Sequence, residues 1–392
     1  MAQANQYRRP GVRVVPGGLF IKQYWDMGGI ANDQPADFEA FVPDCIASER
    51  KPVELDIASA IEAAWGKIMT LGSNLAVPSL PAIATRIDSV NSSWIEGICA
   101  DNTAVAAGIE GLGRTTSDIL AVINNIHALQ WAETCRPTLA NILECHRIMC
   151  DGTTDDSIKG QLRTAQNWVD GPDPRWAKYV PPPRDYVLPL MEDLERYCLR
   201  TDLPVLLQAA VAHAQLETIH PFSNGNGRTG RCLVHMIIRY RSPGTVVPPV
   251  SAALAARKTA YIQHLAGWQK QGDREGWVRF STQCMADTAD AAATLGRRLA
   301  AIKTIWETRI RQPRQDAAIL SVLDTLIANP VISTAQAARG THRTRQQAGS
   351  ILRHLQRENV LRQASDSSWP RRWWYAPDVT EAIHQMQASL AP

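Results

Sequence analysis

The chain has 392 residues, 45% hydrophobic and 20% charged, with a formal net charge of +3. It is long enough for two or three well-formed cores and too weakly basic for the whole chain to be a nucleic-acid binder. With no apolar run near the ~18 residues of a membrane span, no secretory h-region in MAQANQYRRPGVRVVPGG and eight cysteines without CxxC pairs, a cytoplasmic protein with no membrane partner is expected.

In chain order, residues 1–52 are rich in Pro, Gly and isolated aromatics (Phe20, Tyr24, Trp25, Phe38, Phe41) and predict an extended arm packed on the body. Residues 55–71 set Ile57, Ala60, Ile61, Ala64 and Ile68 on one helical face. A second helical pattern runs from about Pro81 and contains SSWIEG, Ser92 to Gly97. A Ser and a Glu four apart are by themselves ordinary solvated helix surface. Two helices follow between 115 and 150, separated near Arg136-Pro137, with Cys145, His146 and Cys150 read as core residues. Residues 151–183 contain GQLRTAQNWVDGPDPRWAKYVPPP, a long loop by its Gly and Pro content. Loops of this length inside a compact domain are often functional. A helix resumes over 188–198 with Pro189 in its first turn.

An unbroken apolar helix over 205–219 then leads into HPFSNGNGRTGR, His220 to Arg231, and 232–240 returns to an apolar helical pattern. The stretch predicts a polar turn between two buried helices, the second beginning near Asn226 or Gly227. Gly225 and Gly227 permit positive φ or close backbone approach. A helix start offers free N–H groups and the positive end of the dipole to an anion. Arg228 and Arg231, three apart, can face the same anion, and a polyphosphate suits that arrangement. His220, at the other end of the turn, can take a proton from a hydroxyl near neutral pH. Phe222 is expected to plug the core. His-Pro or Gly-Asn-Gly alone is usually a plain turn; a base, a glycine cradle and two spaced arginines together point to transfer of a phosphorus-centred group from a nucleotide to an alcohol.

This stretch resembles the signature of the Fic (Fic/Doc) family, His-x-Phe-x-Asp/Glu-Gly-Asn-Gly-Arg-x-x-Arg. The resemblance implies a mainly α fold: a Fic-type helical bundle with a short β-hairpin flap. It also implies transfer of AMP from ATP to a Ser, Thr or Tyr hydroxyl of a target protein, with Mg²⁺. His220 would be the general base, Gly225, Asn226 and Gly227 would hold the α- and β-phosphates, Arg228 would support the loop, and Arg231 would contact the outer phosphates. The family's acidic metal ligand is Asn224 here, a neutral amide that supplies less charge to a hard cation. Transfer of another nucleotide or of a phosphoryl group therefore stays open. Ser92, Glu96 and Gly97 match the family's inhibitory Ser-x-x-x-Glu-Gly/Asn. This implies a Glu96–Arg231 ion pair, in which a bidentate carboxylate keeps the guanidinium from the γ-phosphate. In some relatives the same Glu aligns a water that removes AMP, so de-AMPylation is also open. Gly160 to Arg163 matches the start of the family's flap, with strands expected at 166–169 and 178–180 and a target segment added by β-augmentation.

Residues 251 to about 311 predict two further helices, with Gly272 and Gly276 near their junction and His264, Trp268, Trp277 and Trp306 at core positions. Arg311-Gln312-Pro313-Arg314 reads as a linker. Helices over 317–328, 333–339 and 344–358 and strands over 360–364 and 372–376, around a turn at 365–370, give the order of a winged helix-turn-helix. Its third helix and wing carry Arg343, Arg345, Arg353, Arg357, Arg362, Arg371 and Arg372 against Glu358 and Asp366. That cluster suits a DNA backbone; a dimerisation or target-docking domain with a solvated basic face is the competing reading. The expected divisions are an arm (1–52), a helical region with the inhibitory helix (53–114), the catalytic core (115–312) and the winged helix (313–392). A nucleotide-sensing DNA-binding regulator is the alternative from another class, and a homodimer stays open.

Overall fold

The computed structural model describes residues 12–25, 36–73, 77–310, 317–364 and 373–391. The expected linker at 311–314, the turn at 365–370, and Arg371 and Arg372 lie outside the described residues. Mainly helical architecture is observed, as expected.

Three strands come first: β1 (Val12–Val15), β2 (Gly18–Trp25) and β3 (Ala36–Pro43), paired antiparallel in that order. The expected extended arm is thus a sheet where it is described. In β3 exposed Asp37 and Glu39 alternate with buried Phe38 and Ala40, the period-2 signature of a strand with one face covered. The pairing of β2 with β3 is long-range register that the isolated strands do not announce. Helices α1 (Leu55–Ser73), α2 (Leu80–Ile95), α3 (Asn102–Ile109), α4 (Ser117–Ala132) and α5 (Leu139–Met149) follow. Of these α3 was not anticipated; Asp101 starts it, its carboxylate accepting from the Thr103 and Ala104 N–H groups.

Residues 151–183 form the expected loop, but not the expected hairpin. Among the described residues a single antiparallel bridge, Val169 to Tyr179, stands in for two strands. Gly171 with φ 91°, Pro174 and the run Pro181 to Pro183 break the ladder on both sides. Val180 instead accepts a hydrogen bond from the Phe41 N–H of β3 (2.9 Å), and Phe38 and Ala40 pack on Val180, Trp168 and Ala177. The N-terminal sheet therefore braces the loop from outside.

Helix α6 (Arg184–Cys198) begins a turn earlier than expected, with Pro183 at its N-cap, so Pro189 lies inside the helix rather than in its first turn. Next come α7 (Val205–Ile219), α8 (Asn226–Arg241), α9 (Val250–Ala256), α10 (Lys258–Gln271) and α11 (Arg274–Arg309). Three helices thus occupy the stretch expected to hold two, because the chain breaks at Arg257 (φ −115°, ψ 34°) as well as at Gly272 (φ 65°). Helix α7 is buried from Leu206 to Ile219 on every side, as befits a helix at the centre of a bundle. It packs on α8, α6 and α11. The 36-residue α11, roughly 54 Å long, also packs on α1, α10 and α15 (Pro377–Ala388).

The C-terminal unit comprises α12 (Ala317–Ala328), β4 (Val331–Ser333), α13 (Thr334–Thr341), α14 (Arg345–Arg357), β5 (Arg362–Gln363), β6 (Trp373–Tyr375) and α15, with sheet order β4-β6-β5. The anticipated three helices and two strands are joined by β4 and α15, which were not. This unit grips the helices around SSWIEG. Val331, Trp373 and Tyr375 pack on Ala106, Ala107 and Leu112, and Gln387 accepts from Asn102 Nδ2 (3.1 Å). Buried Arg86 of α2 donates to the Ala328 carbonyl (3.4 Å).

Trp277 is fully buried against α7 and donates its indole N–H to the Ala210 carbonyl (2.7 Å). Truncating it leaves a cavity against α7, so Trp277→Ala is expected to cost about 3–5 kcal/mol in denaturant unfolding.

Candidate active site

Helix α7 ends because His220 adopts a left-handed conformation (φ 50°, ψ 58°) and Pro221 cannot extend it. Arg163, almost fully buried, clamps the freed carbonyl ends. Its Nε donates to His220 O (2.9 Å), Nη1 to Ala165 O (3.1 Å) and Nη2 to Ile219 O (3.5 Å), while its backbone N–H donates to Pro221 O (2.9 Å). A guanidinium there also meets the negative end of the α7 dipole. Burial lowers its pKa to about 10, so it stays charged at neutral pH.

The turn is closed by Asn226, whose Oδ1 accepts from Phe222 N–H (2.8 Å) and whose Nδ2 donates to Phe222 O (2.9 Å). The Asn226 side chain is therefore spent on the turn, and only its backbone N–H remains for an anion. Phe222 is the expected core plug, stacked on His146 with ring centroids 3.9 Å apart. His146 Nδ1 accepts from Gly160 N–H (3.0 Å), which leaves Nε2 to donate to Asn224 O (3.1 Å). Cys150 lies 3.4 Å from that Nε2. His146 and Cys150 are thus buried, as read, and also support the loop from behind, a role their sequence neighbourhood did not signal.

Gly225 (φ 73°) caps α8, and the N–H groups of Asn226, Gly227 and Arg228 precede the first intrahelical bond, from Thr229 N–H to Gly225 O (3.0 Å). A Cβ on Gly227 would stand 2.1 Å from Glu96 Oε1. The Glu96 carboxylate is therefore seated on the helix start, where an anion is expected. Buried Arg228 has no hydrogen-bond partner at Nε or Nη1 among the described residues, and burial lowers its pKa. Those orphaned donors fit a phosphate.

Arg231, 1% exposed, donates to Glu96 Oε1 through Nη2 (2.7 Å). The pair expected from the sequence is present, but it uses one carboxylate oxygen rather than two. Ser92 takes the other donors: its Oγ accepts from Nε (2.8 Å) and its carbonyl from Nη2 (2.8 Å). That carbonyl is free because α2 tightens at its end, with Glu96 N–H turning to Ser93 O (3.0 Å). Gly97 (φ 81°) then ends the helix. Nη1 approaches Tyr261 OH (3.4 Å), which meets His213 Nε2 (3.1 Å), itself 3.6 Å from Glu217 Oε1. Tyr261, His213 and Glu217 were not singled out; the i,i+4 spacing of His213 and Glu217 just before His220 was their one signal. Burial opposes charge on Arg231, but Glu96, Tyr261 and Glu217 outweigh it and raise its pKa.

His220 Nδ1 lies 3.3 Å from Glu217 O. Donation to that carbonyl leaves Nε2 with its lone pair. Burial lowers the pKa of His220, against the opposing pull of Glu217, so the ring is neutral at physiological pH.

A magnesium ion takes oxygen ligands, usually with carboxylate charge. The loop offers Asn224, whose Oδ1 stands 3.8 Å from the Cys150 thiol, and no three His, Cys, Asp or Glu side chains are grouped to hold a metal among the described residues. These residues do not fit a protein-held Mg²⁺. No helix among the described residues is long and apolar enough to cross a membrane.

Residues 136–238 match the model of the Fic/DOC family. The curated Protein adenylyltransferase Fic of Drosophila grimshawi is 33% identical over 158 residues, 39% of this chain and 29% of the relative. Its namesake in Drosophila melanogaster is 34% identical over the same shares. The chain thus spans under a third of the length of these relatives. A crystal structure of a Fic family protein from Desulfovibrio desulfuricans G20 superposes with a TM-score of 0.57 at 22% identity, covering 83% of this chain and 97% of that one. The bundle is therefore a fold already seen in that protein.

Burial lowers the pKa of His146 to about 4. An unfolded histidine near 6.5 binds protons more readily, so this residue's contribution is complete above pH 6.5 and fades as pH falls through 4. Chemical denaturation is expected to show the wild type losing about 3 kcal/mol more than His146→Asn between pH 7 and pH 4.

Proposed function

Because residues 136–238 match the Fic/DOC family model, we propose that the chain transfers AMP from ATP to a hydroxyl side chain of a target protein and is held inactive by Glu96. The observation that carries this reading is the Glu96 carboxylate on Gly227, bonded to Arg231. One anion already occupies the seat that the helix start, Arg228 and Arg231 build for another.

With Glu96 withdrawn, the N–H groups of α8 and the unpartnered donors of Arg228 receive the inner phosphates, and Arg231 turns to the outer ones. His220 Nε2 accepts the proton of the target hydroxyl. The hydroxyl oxygen then bonds to the α-phosphorus as the bond to the oxygen bridging the α- and β-phosphates breaks, and pyrophosphate leaves with that electron pair. The clamp of Arg163 on the His220 and Ile219 carbonyls holds the imidazole in place. Of the two segments joined by the Val169–Tyr179 bridge, 178–180 is engaged by β3 through Phe41, which favours 166–169 as the segment that receives a target strand.

Labelled ATP tests the reading directly. A charged hydrogen bond contributes about 1.5–3 kcal/mol, so Glu96→Gly is expected to raise self-labelling roughly ten- to hundredfold over wild type. Adding His220→Ala should lower the gain by about 10²–10⁴. A Glu96→Gly protein that binds ATP yet labels no better than wild type would overturn the inhibitory role. Transfer of a label from the γ-phosphate would replace AMP with a phosphoryl group.

The pH profile of Glu96→Gly reads the base separately. Burial disfavours the imidazolium of His220, so the midpoint of the acid limb should lie below the ordinary histidine value of about 6.5. An acid limb above pH 7 would contradict the neutral, buried base.

A further inference from the structure

We propose that the exposed face of α14 docks into the major groove of B-form duplex DNA. Between residues 334 and 364 the chain has six arginines and one acid, Glu358, a larger positive excess than the +3 of the whole chain. Helix α14 buries Ala348, Gly349, Leu352 and Leu355 and leaves Gln346, Ser350, Arg353 and Arg357 exposed. Their spacing of four, three and four residues places them in one stripe along the helix.

The stripe is free to bind. Arg345, Arg357 and Arg362 have no acidic partner within ion-pair distance among the described residues, and Glu358 lies 3.9 Å from His354 instead. Arg353 has only a 3.1 Å bond to Ser350 Oγ. Other polar groups of α14 have structural duties: Gln347 closes a capping box with Thr344, and Gln356 accepts from Trp374 Nε1 (3.0 Å). The C-terminal unit attaches to the body through β4, β6, α15 and the end of α12, whereas the principal partner of α14 is α13. A hollow of about 510 Å³ lined by Ser350, Arg353, Gln356 and Arg357 runs beside the stripe.

The mixture of groups selects the partner. An acidic protein would be served by cations alone. Here Gln346 and Ser350 sit among the arginines, and amide, hydroxyl and guanidinium groups together suit base edges as well as phosphates. A helix about 10–12 Å across with its side chains fits the roughly 12 Å major groove of B-DNA, and not the deep, narrow major groove of duplex RNA.

The test uses the full chain and a fluorescein-labelled random-sequence DNA duplex of about 30 base pairs, followed by anisotropy. With four arginines on phosphates, affinity should fall about a hundredfold between 50 and 200 mM salt. Arg353→Gln with Arg357→Gln should lower the slope of log affinity against log salt by about two, while an unchanged melting temperature shows the fold intact. His220→Ala should bind as wild type does, because the surface is separate from the phosphate pocket. No binding at 50 mM salt, equal binding of duplex RNA or poly-glutamate, or a slope unmoved by the double substitution would each overturn the proposal.

Discussion

The cation of Arg231 sets the terms for the centre of the molecule. A guanidinium 1% exposed is costly to strand, about 3–5 kcal/mol when one partner of a buried pair is removed, so each neighbouring element is arranged to face it. Ser92 and Glu96 bring α2 to it and Tyr261 brings α10. One turn further along α8, His235 repeats the pattern: it stands 3.5 Å from Asp88 and 3.1 Å from Glu133. Burial opposes its charge, but those carboxylates prevail and push its pKa up to about 10. Asp88, Ser92 and Glu96 are successive i,i+4 positions on one helix, and Arg231 and His235 are i,i+4 on the other. The two helices meet as an antiparallel ladder of ionic rungs. The rung nearest solvent is the one at the start of α8, between Glu96 and Arg231.

The opposite side of the pocket is rigid for a different reason. The left-handed backbone at His220 costs of order 1–3 kcal/mol and persists because Arg163, Asn167 and Asn226 hold the carbonyls and N–H groups around it. His220 and the start of α8 are thereby fixed relative to one another. Glu96, by contrast, reaches solvent, its side chain 35% exposed.

What the chain disclosed in advance was what is local. The motif from His220 to Arg231, the helices flanking it and the span of α12 follow from short-range periodicity and turn chemistry. Glu96 was legible only because a resemblance tied it to Arg231, 135 residues away; its own surroundings look like helix surface. Tyr261, thirty residues beyond Arg231, had no local mark. His146 and Cys150 read as core because burial is what their spacing encodes, and burial does not say which loop lies against them. The N-terminal sheet was hidden because strand pairing depends on partners rather than on composition. The hairpin expected in 151–183 yielded to proline, which removes the donors that a ladder needs.

The grip of the C-terminal unit on α3 and on Arg86 bears on how the pocket is controlled. Glu96 begins a short connection whose two sides, α2 and α3, are each bonded to that unit. The connection is thus a tie between two anchorages, and its freedom is borrowed from theirs. Binding equilibria at linked sites are reciprocal. Under the function proposed above, a ligand of the C-terminal unit that distinguishes the seated from the unseated glutamate alters nucleotide affinity by some factor, and the nucleotide alters that ligand's affinity by the same factor.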